Sequence, residues 1–199
     1  MQYLRDPEAI YAKSFSTIRA EADFSHLPAD AEPMAVRIVH ACGLVDAARE
    51  LVITHDFVRA ARAATGPVIV DAEMVRHGII PRLVRNRQII CTLNDPRARD
   101  LSTTRSAAAV NLWRDHMAGS VIAIGNAPTA LFRLLEILDD GAPRPAAIIG
   151  FPVGFVGAAE SKAALISNPR GLPFAAIRGR MGGSAMAAAA INALLETPA

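Results

Sequence analysis

The segment from Pro145 to Lys162 constrains this chain more than any other. A short apolar run, Ala146 to Ile149, is broken by Gly150, Pro152, Gly154 and Gly157, and a helical pattern then opens from Ala158 to Leu165. That order predicts a buried strand, a glycine-rich turn and a helix start. Two further segments share the pattern: Ser120-Val-Ile-Ala-Ile-Gly-Asn-Ala-Pro-Thr-Ala-Leu131 and Phe174-Ala-Ala-Ile-Arg-Gly-Arg-Met-Gly-Gly-Ser184. Three such turns along one sheet edge predict a wide crevice. Glycines let backbone approach a ligand there, and free N–H groups at helix starts attract anions.

Strands and helices alternate after residue 66. The expected strands are Pro67–Val70, Gln88–Leu93, Ser120–Ile124, Ala146–Ile149 and Phe174–Ile177. The expected helices are Ala72–His77, Thr103–His116, Ala127–Asp139, Ala158–Ser167 and Ser184–Leu195. Five β–α units of this length predict an α/β fold, a three-layer α/β/α arrangement with a five-stranded parallel sheet in the flavodoxin-like order 2-1-3-4-5. A helical preface comes first. Pro7–Glu21 reads as one helix, with Ile10, Tyr11, Ser14 and Ile18 on one face. A second helix is expected from Glu32 to Leu51, with Asp30 and Pro33 as start signals. It is apolar on most sides through Met34, Val36, Ile38, Val39, Leu44 and Val45, so it must be buried, within the monomer or against another subunit. Asp56 is expected to cap a short helix running through Ala64.

The chain's 199 residues suit a single domain spanning 1–199, and 52% hydrophobic content with few aromatics suits helices packed on a parallel sheet. A formal charge of +2 is too small to argue for nucleic acid. The start, Met1 to Glu8, is polar and lacks the apolar core of a signal segment. The longest apolar stretch, Ala146 to Ala159, is interrupted by Gly and Pro and too short for a bilayer. These features predict a soluble cytoplasmic protein with no membrane partner. Cys42 and Cys91 lie in apolar stretches and read as inert core thiols.

Among the titratable residues, His40 stands out because Arg37 shares its helix face one turn away. A histidine bonded to a backbone carbonyl in the core is the plain reading, and a general acid or base beside a cation is the functional one. His26 and His116 lie in polar surroundings, His55 adjoins a cap, and His77 ends a helix before Gly78. No two histidines have ligand spacing, so no metal site is expected. Gly150, Gly154 and Gly157 match neither a dinucleotide fingerprint nor a P-loop, which makes a nucleotide site a weak reading. Lys162, one of only two lysines with Lys13, sits just after that turn beside Ser161. Thr103 or Thr104 can cap the helix they precede. Arg105, in its first turn, opposes the helix dipole unless something anionic lies close. Arg178 and Arg180 follow the last strand, at the sheet edge where open α/β sheets bind ligands.

Taken together, several segments resemble the precorrin-8X methylmutase family, whose members move a ring methyl group on a corrinoid precursor of vitamin B12. The matching text is Tyr11-Ala-Lys-Ser-Phe through Ile18-Arg-Ala-Glu-Ala22, Val36-Arg-Ile-Val-His-Ala-Cys-Gly43, Val70-Asp-Ala-Glu-Met-Val75 and Thr104-Arg-Ser-Ala-Ala-Ala109. It continues with Ala123-Ile-Gly-Asn-Ala-Pro-Thr-Ala-Leu131, Gly150-Phe-Pro-Val-Gly-Phe-Val-Gly-Ala-Ala-Glu-Ser-Lys162 and Arg178-Gly-Arg-Met-Gly-Gly-Ser184. The resemblance implies a homodimer with a corrinoid site between subunits and hand-over of the product to the next pathway enzyme. It implies a cofactor-free 1,5-sigmatropic methyl shift from C11 to C12, giving hydrogenobyrinate. On that resemblance His40 is the catalytic residue, and Ser14 and Arg37 contact substrate. Arg105, Asn126, Gly154, Ser161 and Lys162 complete the expected substrate-binding set. A cobalt-precorrin-8 methylmutase and a non-catalytic corrinoid carrier stand as alternatives, beside an α/β enzyme acting on phosphate or flavin ligands.

Overall fold

A computed structural model describes residues 3–84, 86–99 and 102–196 of the chain. Six strands, β1 (Leu51–Ile53), β2 (Val68–Val70), β3 (Ile89–Cys91), β4 (Val121–Ile124), β5 (Ala147–Gly150) and β6 (Phe174–Ile177), form one sheet. Their order is β1-β6-β5-β4-β2-β3. The strands β2 to β6 pair in parallel and reproduce the expected 2-1-3-4-5 order when counted along the chain. The sixth strand corrects the expected count of five. β1 pairs antiparallel with β6, Leu51 opposite Ile177 and Ile53 opposite Ala175.

Ten α-helices surround the sheet among the described residues: α1 (Pro7–Glu21), α2 (Glu32–Cys42), α3 (Ala47–Glu50), α4 (Phe57–Ala63), α5 (Glu73–Gly78), α6 (Pro81–Val84), α7 (Arg105–Val110), α8 (Pro128–Asp139), α9 (Ala158–Ser167) and α10 (Ser184–Leu195). Alternate strand residues face opposite layers, as the period of two requires. Val68, Val70, Val121, Ala123, Ile149 and Ala175 join the core under α2, α4, α5 and α10. Ile69, Ile122, Ile124, Ile148 and Ala176 join the other core, with Trp113, Leu131, Leu134 and Leu165.

Two expected helices are shorter than their patterns suggested. The helix expected to reach Leu51 ends at Cys42, because Gly43 takes a left-handed conformation (φ +68°) and its N–H bonds the Val39 carbonyl. Leu51-Val-Ile then leaves the helical layer because β6 offers it a free edge. The helix expected over Thr103–His116 is α7 followed by a 3-10 segment, Asn111–His116. Asp56 stands before α4 as expected, without a side-chain capping bond. α2 is covered inside the monomer, against α10 and α1. Its apolar surface therefore gives no argument for a second subunit.

α10 is buried from Met186 to Leu194. Within that stretch the polar side chain of Asn192 accepts the Ile80 N–H at 2.8 Å and donates to the Gly78 carbonyl at 3.0 Å. A methyl group added at Gly78 would come within 2.7 Å of the Ala188 Cβ, and one at Gly125 within 2.8 Å of the Ala187 Cβ. The helix lies against α5 and β4 with no room for larger residues on either side. No helix among the described residues is long and apolar enough to cross a membrane.

Asp71, directly after β2, is the chief polar constraint on this frame. It is 3% exposed. Its Oδ1 accepts the Gly125 N–H at 2.9 Å, and its Oδ2 accepts those of Asn126 at 3.0 Å and Ala127 at 2.8 Å. Burial pushes the Asp71 carboxyl above the usual carboxylate range, and the three N–H donors pull it back. Replacing one carboxylate oxygen with an amide NH2 would set donor against donor in a buried turn. Asp71→Asn is therefore expected to lower stability by about 2–3 kcal/mol. Urea denaturation of both proteins measures this, and an unchanged midpoint would contradict the constraint.

Candidate active site

The candidate residues fall into two groups. The first lies between α1 and α2. One helical face of α1 carries Tyr11, Ser14, Phe15 and Ile18, spaced by three and four residues, and this face meets the last turn of α2. Ser14 Oγ lies 2.8 Å from His40 Nδ1, both residues partly buried. Tyr11 and Phe15 flank the imidazole with ring centroids at 5.3 and 5.4 Å, the Phe15 ring nearly perpendicular at 82°. Aromatic walls and one hydroxyl leave the imidazole few orientations. A hollow of about 370 Å³ opens beside this point, lined by Leu4, Ile10, Lys13, Ser14, Thr17 and Ile18.

Arg37 is not a lone cation beside the imidazole. Its guanidinium donates to Glu196, just past the end of α10. The Arg37 side chain is 15% exposed and that of Glu196 is 45% exposed, so water still reaches the pair from the carboxylate side.

The second group lies along the carboxyl edge of the parallel strands. Thr104 begins α7 by accepting the Ala107 N–H at 3.2 Å, and its hydroxyl donates to Thr129 in α8 at 2.7 Å. Arg105 beside it is exposed. Asn126 is partly buried, its N–H held by Asp71. The three glycine turns are bonded to one another. Val153 N–H meets the Asn126 carbonyl at 3.4 Å, Gly154 N–H the Arg180 carbonyl at 3.3 Å, and Gly183 N–H the Phe151 carbonyl at 2.9 Å. A side chain at Gly182 would strike the carbonyls of Phe151 and Pro152. The crevice expected between separate turns is partly closed by this sewing. The N–H groups of the turn entering α8, read from sequence as open to an anion, are taken by Asp71.

Ser161 and Lys162 are both fully buried. Ser161 Oγ donates to the Ala158 carbonyl at 3.2 Å. The Lys162 ammonium donates to the Met181 carbonyl, tying α9 to the loop between β6 and α10. Among the described residues no hydrogen bond or ion pair joins the His40 group to this second group. Burial also pushes up both thiols, Cys91 to about 11, which keeps them protonated and unreactive at neutral pH.

Sequence reasoning missed Asp71, Glu196 and the aromatic clasp as working residues. Asp71 had a readable signal, a carboxylate ending a wholly apolar strand. Tyr11 and Phe15 were readable as helical neighbours of Ser14. Glu196 had none, because its partner is 159 residues away.

Burial lowers Lys162 from 10.5 to about 8. Between those two values the folded chain has released a proton that the unfolded chain still holds, so stability rises with pH across that window. Wild type is expected to gain on the order of 2 kcal/mol there relative to Lys162→Met, which has no such proton. Urea midpoints of both proteins at pH 7.5 and 10 test this, and parallel pH profiles would overturn it.

Comparison with known proteins places these features in a family. The family model for precorrin-8X methylmutase matches residues 9–197. A precorrin-8X methylmutase from a Sinorhizobium species is 59% identical, covering 96% of this chain and 95% of its own length. That from Pseudomonas aeruginosa is 54% identical, covering 98% and 97%. Relatives named cobalt-precorrin-8 methylmutase stand at 30–36% identity. A solved precorrin-8X methylmutase from Thermus thermophilus superposes with a TM-score of 0.85 at 33% identity, covering 94% of both chains. On a match of nearly its whole length in both sequence and fold, the chain belongs to the precorrin-8X methylmutase family.

Proposed function

We propose that the chain converts precorrin-8X to hydrogenobyrinate, moving a methyl group from C11 to C12, with His40 passing a proton to and from the macrocycle. Family membership makes it an isomerase of cobalamin biosynthesis. The observation that carries the finer reading is the Ser14–His40 pair clasped between Tyr11 and Phe15. The higher identity to relatives named for precorrin-8X than to those named for cobalt-precorrin-8 supports the metal-free substrate.

The chemistry asks little of the protein beyond position and one proton. The C11–methyl bond breaks as the C12–methyl bond forms within a single π system, so atoms and electrons balance without a co-reactant. Charge that develops on the ring in the transition state is what a general acid can stabilise. When the Ser14 hydroxyl donates to Nδ1, the hydrogen of a neutral His40 sits on Nε2 and can be shared with the macrocycle. The same proton returns to His40 as the rearranged conjugated system of the product is established. Arg37 and Arg105 suit the acetate and propionate groups on the macrocycle rim, Arg37 by exchanging its Glu196 partner for a substrate carboxylate. Asn126 and Gly154 would meet the same rim through the carboxyl-edge turns. Ser161 and Lys162, buried beneath those turns, would act by holding them in place.

We infer a homodimer with the site between subunits as the working unit, the reading that the family resemblance implies. Family membership is the ground for assigning it to the cytoplasm. Sedimentation at micromolar concentration is expected to give a dimer, and a fully active monomer would overturn that assignment.

His40→Ala is expected to keep its fold and its affinity for hydrogenobyrinate while losing turnover of precorrin-8X by about a hundredfold or more. Arg37→Ala should chiefly raise KM, with a smaller effect on kcat. It should alter stability by less than about 1 kcal/mol, since the half-exposed Glu196 can hydrate. Absorbance-monitored single-turnover rates and thermal midpoints on both variants separate these effects. A folded His40→Ala protein that rearranges precorrin-8X at the wild-type rate would end the catalytic assignment, as would one that only loses stability.

A further inference from the structure

The turn between β5 and α9 holds its apolar side chains in water. Phe155 is 84% exposed, Val156 88% and Val153 42%. This is not a slack loop. Gly154 at φ +145° and Gly157 at φ +77° bracket the two outermost residues in conformations that side chains resist. Backbone bonds from Val153 and Gly154 fasten the turn to Asn126 and Arg180. A polar turn would meet the same geometric demands, so the apolar residues at its tip call for a ligand or partner.

The surroundings choose between the two. The Arg180 guanidinium lies over the Phe155 ring at 5.2 Å. Arg178 and Arg105 are exposed on the same carboxyl edge, Arg105 next to Thr104, whose hydroxyl bonds Thr129 in the first turn of α8. None of the three arginines has an ion-pair partner among the described residues. A self-complementary contact between two copies would bring these cations together unpaired. A flat apolar ring system with carboxylates at its rim complements both the phenyl ring and the cations.

We propose that Phe155 and Arg180 form a substrate-contacting pair, Phe155 lying against the face of the corrinoid macrocycle and Arg180 turning to a rim carboxylate. The proposal rests on the corrinoid reading of this site and adds to it the residues that select a flat, carboxylate-bearing ligand. Arg180 then releases the ring face that the macrocycle covers, so the pair holds the unliganded platform ready.

Equilibrium titration with hydrogenobyrinate, followed by absorbance, tests this on wild type, Phe155→Ala and Arg180→Gln. Each variant is expected to bind about tenfold more weakly, with an unchanged thermal midpoint and dimeric sedimentation. Arg180→Gln should also flatten the salt dependence of binding, whereas Phe155→Ala should keep it and change the spectrum of the bound pigment. Wild-type affinity in both variants, with wild type itself binding, overturns the pair while leaving the corrinoid reading intact. Failure of wild type to bind hydrogenobyrinate overturns the corrinoid reading. A Phe155→Ala protein that sediments as a monomer assigns the turn to a subunit contact and also overturns the proposal.

Discussion

Three backbone N–H groups converge on one buried carboxylate, and much of the molecule follows from that. Gly125, Asn126 and Ala127 turn the chain from β4 into α8 at the point where the strand order reverses, between β2 and β4. In open α/β sheets that crevice is where ligands settle. Here Asp71 of the neighbouring strand supplies the negative charge from within. The turn is thereby fixed without a ligand, and the fastened turn anchors the next one through Asn126 and Val153. The fold keeps its flavodoxin-like architecture while losing the anion pocket usually associated with it.

Much of the architecture was legible because buried parallel strands leave a coarse signature. Val68 to Val70 and Ala147 to Ile149 are apolar runs ended by Asp or Gly, and the lengths between such runs admit one helix each. The second helix was overread because Leu44, Val45, Leu51 and Val52 continue an apolar pattern past Gly43. Apolar content alone does not tell a helix from the edge strand that follows it. The deciding fact is tertiary: β6 has an unpaired edge, and Leu51–Ile53 covers it. A short antiparallel strand there also blunts an edge that would otherwise be open to another chain.

The site was legible only in pieces. Helical spacing put Ser14 beside Tyr11 and Phe15, but nothing in spacing brings α1 to α2, so the Ser14–His40 bond came within reach only through the family resemblance. Arg37 was visible as a cation near His40, and its carboxylate partner was not, since Glu196 reaches it through the packing of α10 on α2. Lys162 was conspicuous because lysine is scarce in this chain. Scarcity marked a buried tie to Met181 as clearly as it would have marked a ligand contact. Phe155 carried no signal in the sequence, because its meaning lies in its exposure and in the guanidinium above it.

α10 acts as a spacer of fixed gauge. One side bears on α2, the helix of Arg37 and His40, and another presses on Gly125, the first residue held by Asp71. Ala187 sets how near Gly125 comes and Ala188 how near Gly78 of α5 comes, much as a shim sets the gap between machine parts. The tolerances are those of single methyl groups, so a substitution at Ala187 or Ala188 would reach the chemistry by changing a thickness rather than by touching any reacting atom.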